Sequence, residues 1–64
     1  MMYDFTLSTG GFASTTVMIR PHSQSARERL GFSEATVSAQ YRKSVGFELV
    51  DELISEGWKV FTDE

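Results

Sequence analysis

The chain has no cysteine and no asparagine, and among its 64 residues it has one proline and one histidine. Each scarcity removes a class of protein. Without cysteine there is no disulfide framework and no thiolate metal site; the absence also suits a reducing cytoplasm. Without asparagine there is no N-glycosylation acceptor. No unbroken apolar run exceeds three residues, as in Val17-Met18-Ile19, far short of the ~20 needed to cross a bilayer. The start, Met1-Met2-Tyr3-Asp4-Phe5, has no basic stretch leading into an apolar one and does not read as a signal peptide. A cytoplasmic protein without a membrane partner is expected.

Leu, Ile, Val and Phe fill 16 of the 64 positions, above the share at which disorder becomes the default. A chain this short buries only about 60% of the surface its unfolded form exposes, so residues 1–64 are expected to form a single small domain. It must be held by apolar packing, good helix caps, or association with itself or a partner. The formal net charge of −3 is unevenly spread. Residues 20–43 carry Arg20, Arg27, Arg29, Arg42 and Lys43 against Glu28 and Glu34. Residues 44–64 carry Glu48, Asp51, Glu52, Glu56, Asp63 and Glu64 against Lys59. Such a split can mark a charged binding face or an ordinary solvated one.

Tyr3, Phe5 and Leu7 alternate with Asp4, Thr6 and Ser8, the period of a half-buried strand. Thr9-Gly10-Gly11 permits a hairpin turn, and residues 14–20, rich in β-branched side chains and closed by Pro21, read as the returning strand. A short helix follows near 23–30, with Ser23 as N-cap or Ser25 and Glu28 as an alternative capping box. It should bury Ala26 and Leu30, expose Arg27 and Arg29, and stop at Gly31. A second helix follows Ser44, a candidate cap. Phe47, Val50 and Ile54, with Leu49 and Leu53, make one broad apolar stripe there. It ends at Gly57, where Trp58 should fold back on Leu53, and residues 58–62 read as a closing strand. The order β-β-α-β-α-β predicts an α+β domain, a four-stranded sheet with two helices packed on one face.

Segment 33–43 is the ambiguous part. As a strand, Val37, Ala39 and Tyr41 alternate with polar residues; as a helix, Ser33 caps it and Val37 and Tyr41 share a face. In the second reading Leu30-Gly31-Phe32-Ser33-Glu34-Ala35-Thr36-Val37-Ser38 resembles the turn and recognition-helix start of helix-turn-helix regulators. That resemblance implies a DNA-binding transcriptional regulator in which Thr36, Ser38, Ala39, Gln40 and Arg42 approach the duplex. It departs from the pattern at Arg27 and Gln40, and a hairpin stands where a first helix is needed. More broadly, a strand entering Arg20-Pro21-His22-Ser23, a helix, a strand, a helix ending in Glu56-Gly57-Trp58 and a last strand resemble the small accessory proteins of phages and prophages. That class includes anti-CRISPR and other counter-defence inhibitors, and the resemblance implies a host or defence protein as partner.

No catalytic, metal or cofactor site is expected. His22 beside Ser23 and Ser25 makes no triad by sequence adjacency. Asp51/Glu52 and Glu48/Glu56 fall on a solvated helix face, where nothing perturbs a carboxyl for acid–base work. Thr9-Gly10-Gly11 lacks the lysine of a phosphate loop. Binding is left as the expectation. Glu48, Asp51, Glu52 and Glu56 could mimic nucleic-acid phosphate toward a basic groove on a protein. The aromatic set Tyr3, Phe12, Phe32, Tyr41, Trp58 and Phe61 exceeds what a small core encloses, so one or two should anchor an interface. Phe12 and Trp58 are the candidates beside the acids, and an exposed strand edge could give a homodimer.

Overall fold

The structure, a computed structural model, describes residues 2–9 and 15–63. Six elements follow in the order β1 (Phe5–Ser8), β2 (Thr16–Pro21), α1 (Gln24–Leu30), β3 (Ala39–Arg42), α2 (Lys43–Ser55) and β4 (Val60–Asp63). The four strands form one mixed sheet in the order β3-β2-β1-β4. β1 and β2 are the expected antiparallel hairpin, with Phe5 opposite Pro21 and Leu7 opposite Ile19; its turn lies outside the described residues. β3 runs antiparallel to β2 and β4 parallel to β1, so α2 joins two edge strands that point the same way.

Alternation decides which side of the sheet each residue takes. Phe5, Leu7, Val17 and Ile19 face one side and are buried, where Ala26 of α1 and Val50 and Leu53 of α2 meet them. Both helices therefore cover one face, as the α+β reading requires. The helix ends follow from two glycines. Gly31 (φ 74°) and Gly57 (φ 98°) take the left-handed conformation that closes a Schellman turn. Phe32 N–H then reaches Arg27 O at 3.0 Å, and Trp58 N–H reaches Leu53 O at 3.0 Å. Ser23 caps α1, accepting from Ala26 N–H at 3.1 Å, so the Ser25/Glu28 alternative is not used.

Several expectations need correcting. Ser44 does not cap α2: β3 runs straight into the helix with Arg42 at the N-cap and no side-chain cap. The first of the orphan N–H groups, on Lys43, is satisfied instead by Thr15 O at 2.8 Å. The buried stripe of α2 is Gly46, Val50 and Leu53, while Phe47 and Ile54 are exposed. Gly46 sits directly on Val17, and that contact rotates the helix so Phe47 and Ile54 become a flank. Trp58 and Lys59 are not strand, because the Schellman turn takes Trp58. Leu30 is only half-buried. Arg27 is not free: its Nη2 donates to Ser33 O at 2.5 Å and Glu34 O at 2.6 Å, bracing the loop after α1.

Candidate functional site

Two surfaces carry the residues singled out by sequence, and they lie on opposite sides of the sheet. On the helical side, α2 exposes Glu48, Asp51, Glu52 and Glu56. They are not equally free: Glu56 is held by its neighbours. Arg29 of α1 clamps Glu56 through Nε–Oε1 at 2.8 Å and Nη2–Oε2 at 2.7 Å, and lies 4.0 Å from Glu52. Trp58 Nε1–H donates to the same Glu56 carboxylate at 2.9 Å. The indole is half-buried, edge-on to Phe5 with ring centroids 5.4 Å apart. Trp58 and Glu56 thus fasten the end of α2 to α1 and the core. Glu48 and Asp51 make no ion pair among the described residues. Phe12, the other aromatic candidate, lies outside the described residues.

The Arg29 guanidinium, with the Trp58 indole N–H, holds the Glu56 carboxyl down from 4.5 to about 2. Because the folded state binds that proton less readily than the unfolded chain, the contribution to stability is fully present above about 4.5 and is lost as pH falls toward about 2. Urea midpoints measured across this window should fall more steeply for the wild type than for Glu56→Gln. Parallel curves would mean the clamp does not form in solution.

On the other side no helix covers the sheet. The register sets its side chains in rows. One runs Phe61, Thr6, Arg20 across β4, β1 and β2; the next runs Asp63, Ser8, Met18, Gln40 across all four strands, with Arg42 beyond Gln40 on β3. Met18 and Phe61 are exposed. Tyr3 joins them against its parity. The backbone bends at Asp4, whose carboxylate accepts Lys59 N–H at 2.9 Å and whose carbonyl accepts His22 N–H at 2.8 Å. The bend carries the Tyr3 ring onto Phe61, centroids 5.2 Å apart. His22 Nε2 lies 2.6 Å from Thr6 Oγ1. Between them a shallow hollow of about 280 Å³ is lined by Thr6, Ser8, Met18, Arg20, His22 and Ser38, with Val37 at its rim. It is slightly smaller than the usual small-molecule pocket and opens onto the flat face around it.

Segment 33–43 resolves into turn and strand. Ser33 and Thr36 are bound hydroxyl to hydroxyl at 2.9 Å, and β3 begins at Ala39. The helical alternative is not adopted: no helix lies between Leu30 and Lys43, because the Arg27 brace and the Ser33–Thr36 turn use the residues that would start one. Gln40 and Arg42 therefore share the uncovered face, Ser38 lines its hollow, and Ala39 points toward the core side. Among the described residues there is no group of three or more potential metal ligands and no helix long and apolar enough to cross a membrane. No family model, curated protein or solved structure matches the chain.

Proposed function

We propose that this chain is a non-catalytic binding domain and that the uncovered face of its sheet is its working surface. One observation carries the reading. The core-side face is closed by both helices, while the opposite face of the same sheet leaves Tyr3, Met18 and Phe61 exposed beside Arg20 and Arg42. Tyr, Met, Phe and Arg are the side chains enriched at recognition surfaces, and here they share one face of the sheet.

A second reading is favoured by α2. Phe47, Asp51 and Ile54 are neighbours on one flank by the i,i+3 and i,i+4 geometry of a helix, with Glu48 beside Asp51, and all four are exposed. In this reading the chain is a phage- or mobile-element accessory that blocks a host or defence protein by offering its acids to a basic groove. A DNA-reading function has less support, since its residues do not lie along a helix.

One experiment separates the two surfaces. Wild type, Met18→Glu/Phe61→Ala and Glu48→Lys/Asp51→Lys are used as affinity baits after each is shown to be folded by circular dichroism. Capture lost only by the sheet variant supports the working face proposed here. Capture lost only by the α2 variant transfers the function to the acidic flank.

A further inference from the structure

We infer that the open edge of β4 pairs with the same edge of a second copy of this chain, giving a two-fold symmetric dimer with one continuous sheet. The inference is independent of what the uncovered face binds. β4 ends the strand order β3-β2-β1-β4 and has a neighbour on one side only. The backbone shows which of its groups are unused. Lys59 O accepts from Phe5 N–H at 3.1 Å and Asp63 O accepts from Thr9 N–H at 3.3 Å, so the odd-numbered residues bond β1. The N–H and C=O groups of Val60 and Thr62, between them, point the other way, out of the sheet. Such an edge templates pairing unless a charge, a proline or a bulge blunts it. Val60-Phe61-Thr62 carries no charge and no proline, and its register with β1 is unbroken.

The segment Lys59-Val60-Phe61-Thr62-Asp63 is complementary to its own reverse. In an antiparallel pair, hydrogen-bonded residues alternate with non-hydrogen-bonded ones. Outward-pointing groups must meet outward-pointing groups, so the register can move only in steps of two residues. Centring the two-fold axis on Phe61 sets Val60 against Thr62 of the second copy as the hydrogen-bonded pair. Phe61 then faces its own counterpart at the closer, non-hydrogen-bonded position, where aromatic pairs stabilise a sheet. Lys59 stands opposite Asp63 of the second copy, and symmetry repeats that charge pair at the other end. Lys59 and Asp63 are both exposed, and neither has an ion pair among the described residues. One step along the register sets Phe61 against Asp63, and one step back sets it against Lys59. Either step loses both charge pairs.

The opposite edge of the sheet does not have this property. β3 is Ala-Gln-Tyr-Arg and runs straight into Lys43 of α2, so its reverse brings no acid to meet Arg42. An isologous contact through β4 closes at two copies. Its extent sets its strength: two four-residue strands bury less than a standard interface, and the dimer exchanges with monomer.

The test is sedimentation equilibrium of the full chain over about 10 μM to 1 mM, at low salt because exposed charge pairs are screened. A monomer–dimer equilibrium is expected. Lys59→Asp sets acid against acid at both ends of the pair, and Asp63→Lys sets base against base. Each alone should weaken the dimer about tenfold or more. An equimolar mixture of the two variants should restore it, because each chain then meets opposite charge at both ends, a recovery that damage to the fold does not produce. Thr62→Pro removes an N–H that points away from β1, a change tolerated at a sheet edge. It should leave the circular dichroism unchanged and abolish the dimer. Monomer at every concentration, a mixture no more associated than its components, undiminished dimer from a folded Thr62→Pro variant, or masses beyond the dimer would each overturn the inference.

Discussion

Gly46→Ala should destabilise this protein, although the same change in most helices stabilises. Alanine is favoured over glycine in a helix interior by about 1 kcal/mol. Here the added methyl would fall within the radius of Val17 Cγ2, with Tyr41 Cβ at 3.6 Å on the other side. Val17 cannot step aside. It is buried in the central strand β2, and its branched Cβ leaves χ1 little freedom. The helix must lift instead, loosening Val50 and Leu53. Overpacking of this kind costs about 1–3 kcal/mol, from a total of about 3–10 kcal/mol for a domain of this length. The urea midpoint should therefore drop despite the gain in propensity. The cause is tested by a double mutant. Val17→Ala removes the obstructing methyl, so Gly46→Ala should cost less in that background, a coupling of about 0.5–3 kcal/mol. A rise in midpoint for Gly46→Ala alone, or strict additivity, would show that the close approach is not real.

That glycine also marks where sequence reading stops. The helix ends were legible because Gly31 and Gly57 can take the left-handed conformation after which the next N–H, of Phe32 or Trp58, bonds back to the helix, a local pattern with a local cause. The hairpin was legible from alternation. Gly46 carries no such signal: a glycine inside an amphipathic helix shows its reason only once Val17 is across from it, 29 positions away in the chain. The rotation it permits is why Phe47 and Ile54, sound members of the stripe by spacing, end on a flank. Tyr3 failed for a related reason, since the bend at Asp4 is fixed by Lys59, at the other end of the sequence. The charge asymmetry was legible as an imbalance but not as geometry. Arg29 turned inward to Glu56, whereas Arg20 and Arg42 turned to the uncovered face, and only strand register distinguishes them. Most of the candidate site is therefore tertiary: its side chains come from four strands and become neighbours through pairing.

Phe5→Ala should have the largest effect of any single truncation discussed, and it separates stability from recognition. Phe5 is fully buried, is paired to Pro21 on one side and Val60 on the other, and receives the edge of Trp58. Removing a buried phenylalanine ring costs about 3–5 kcal/mol, because the cavity left behind collapses only in part. A domain with about 3–10 kcal/mol in total then stands near its unfolding midpoint at 25 °C. Trp58 is the sole tryptophan and touches that ring, so its fluorescence in a urea titration reports the loss directly. Phe61→Ala is the counterpart. That ring is 43% exposed, stands on the face away from the core and meets Tyr3, so its loss should move the midpoint by less than about 1 kcal/mol. Equal shifts for the two would mean that the sheet does not present opposite faces to core and solvent. Unequal shifts in the expected order would mean that Phe61 contributes little to stability, so that its substitution can be used to probe the uncovered face without unfolding the domain.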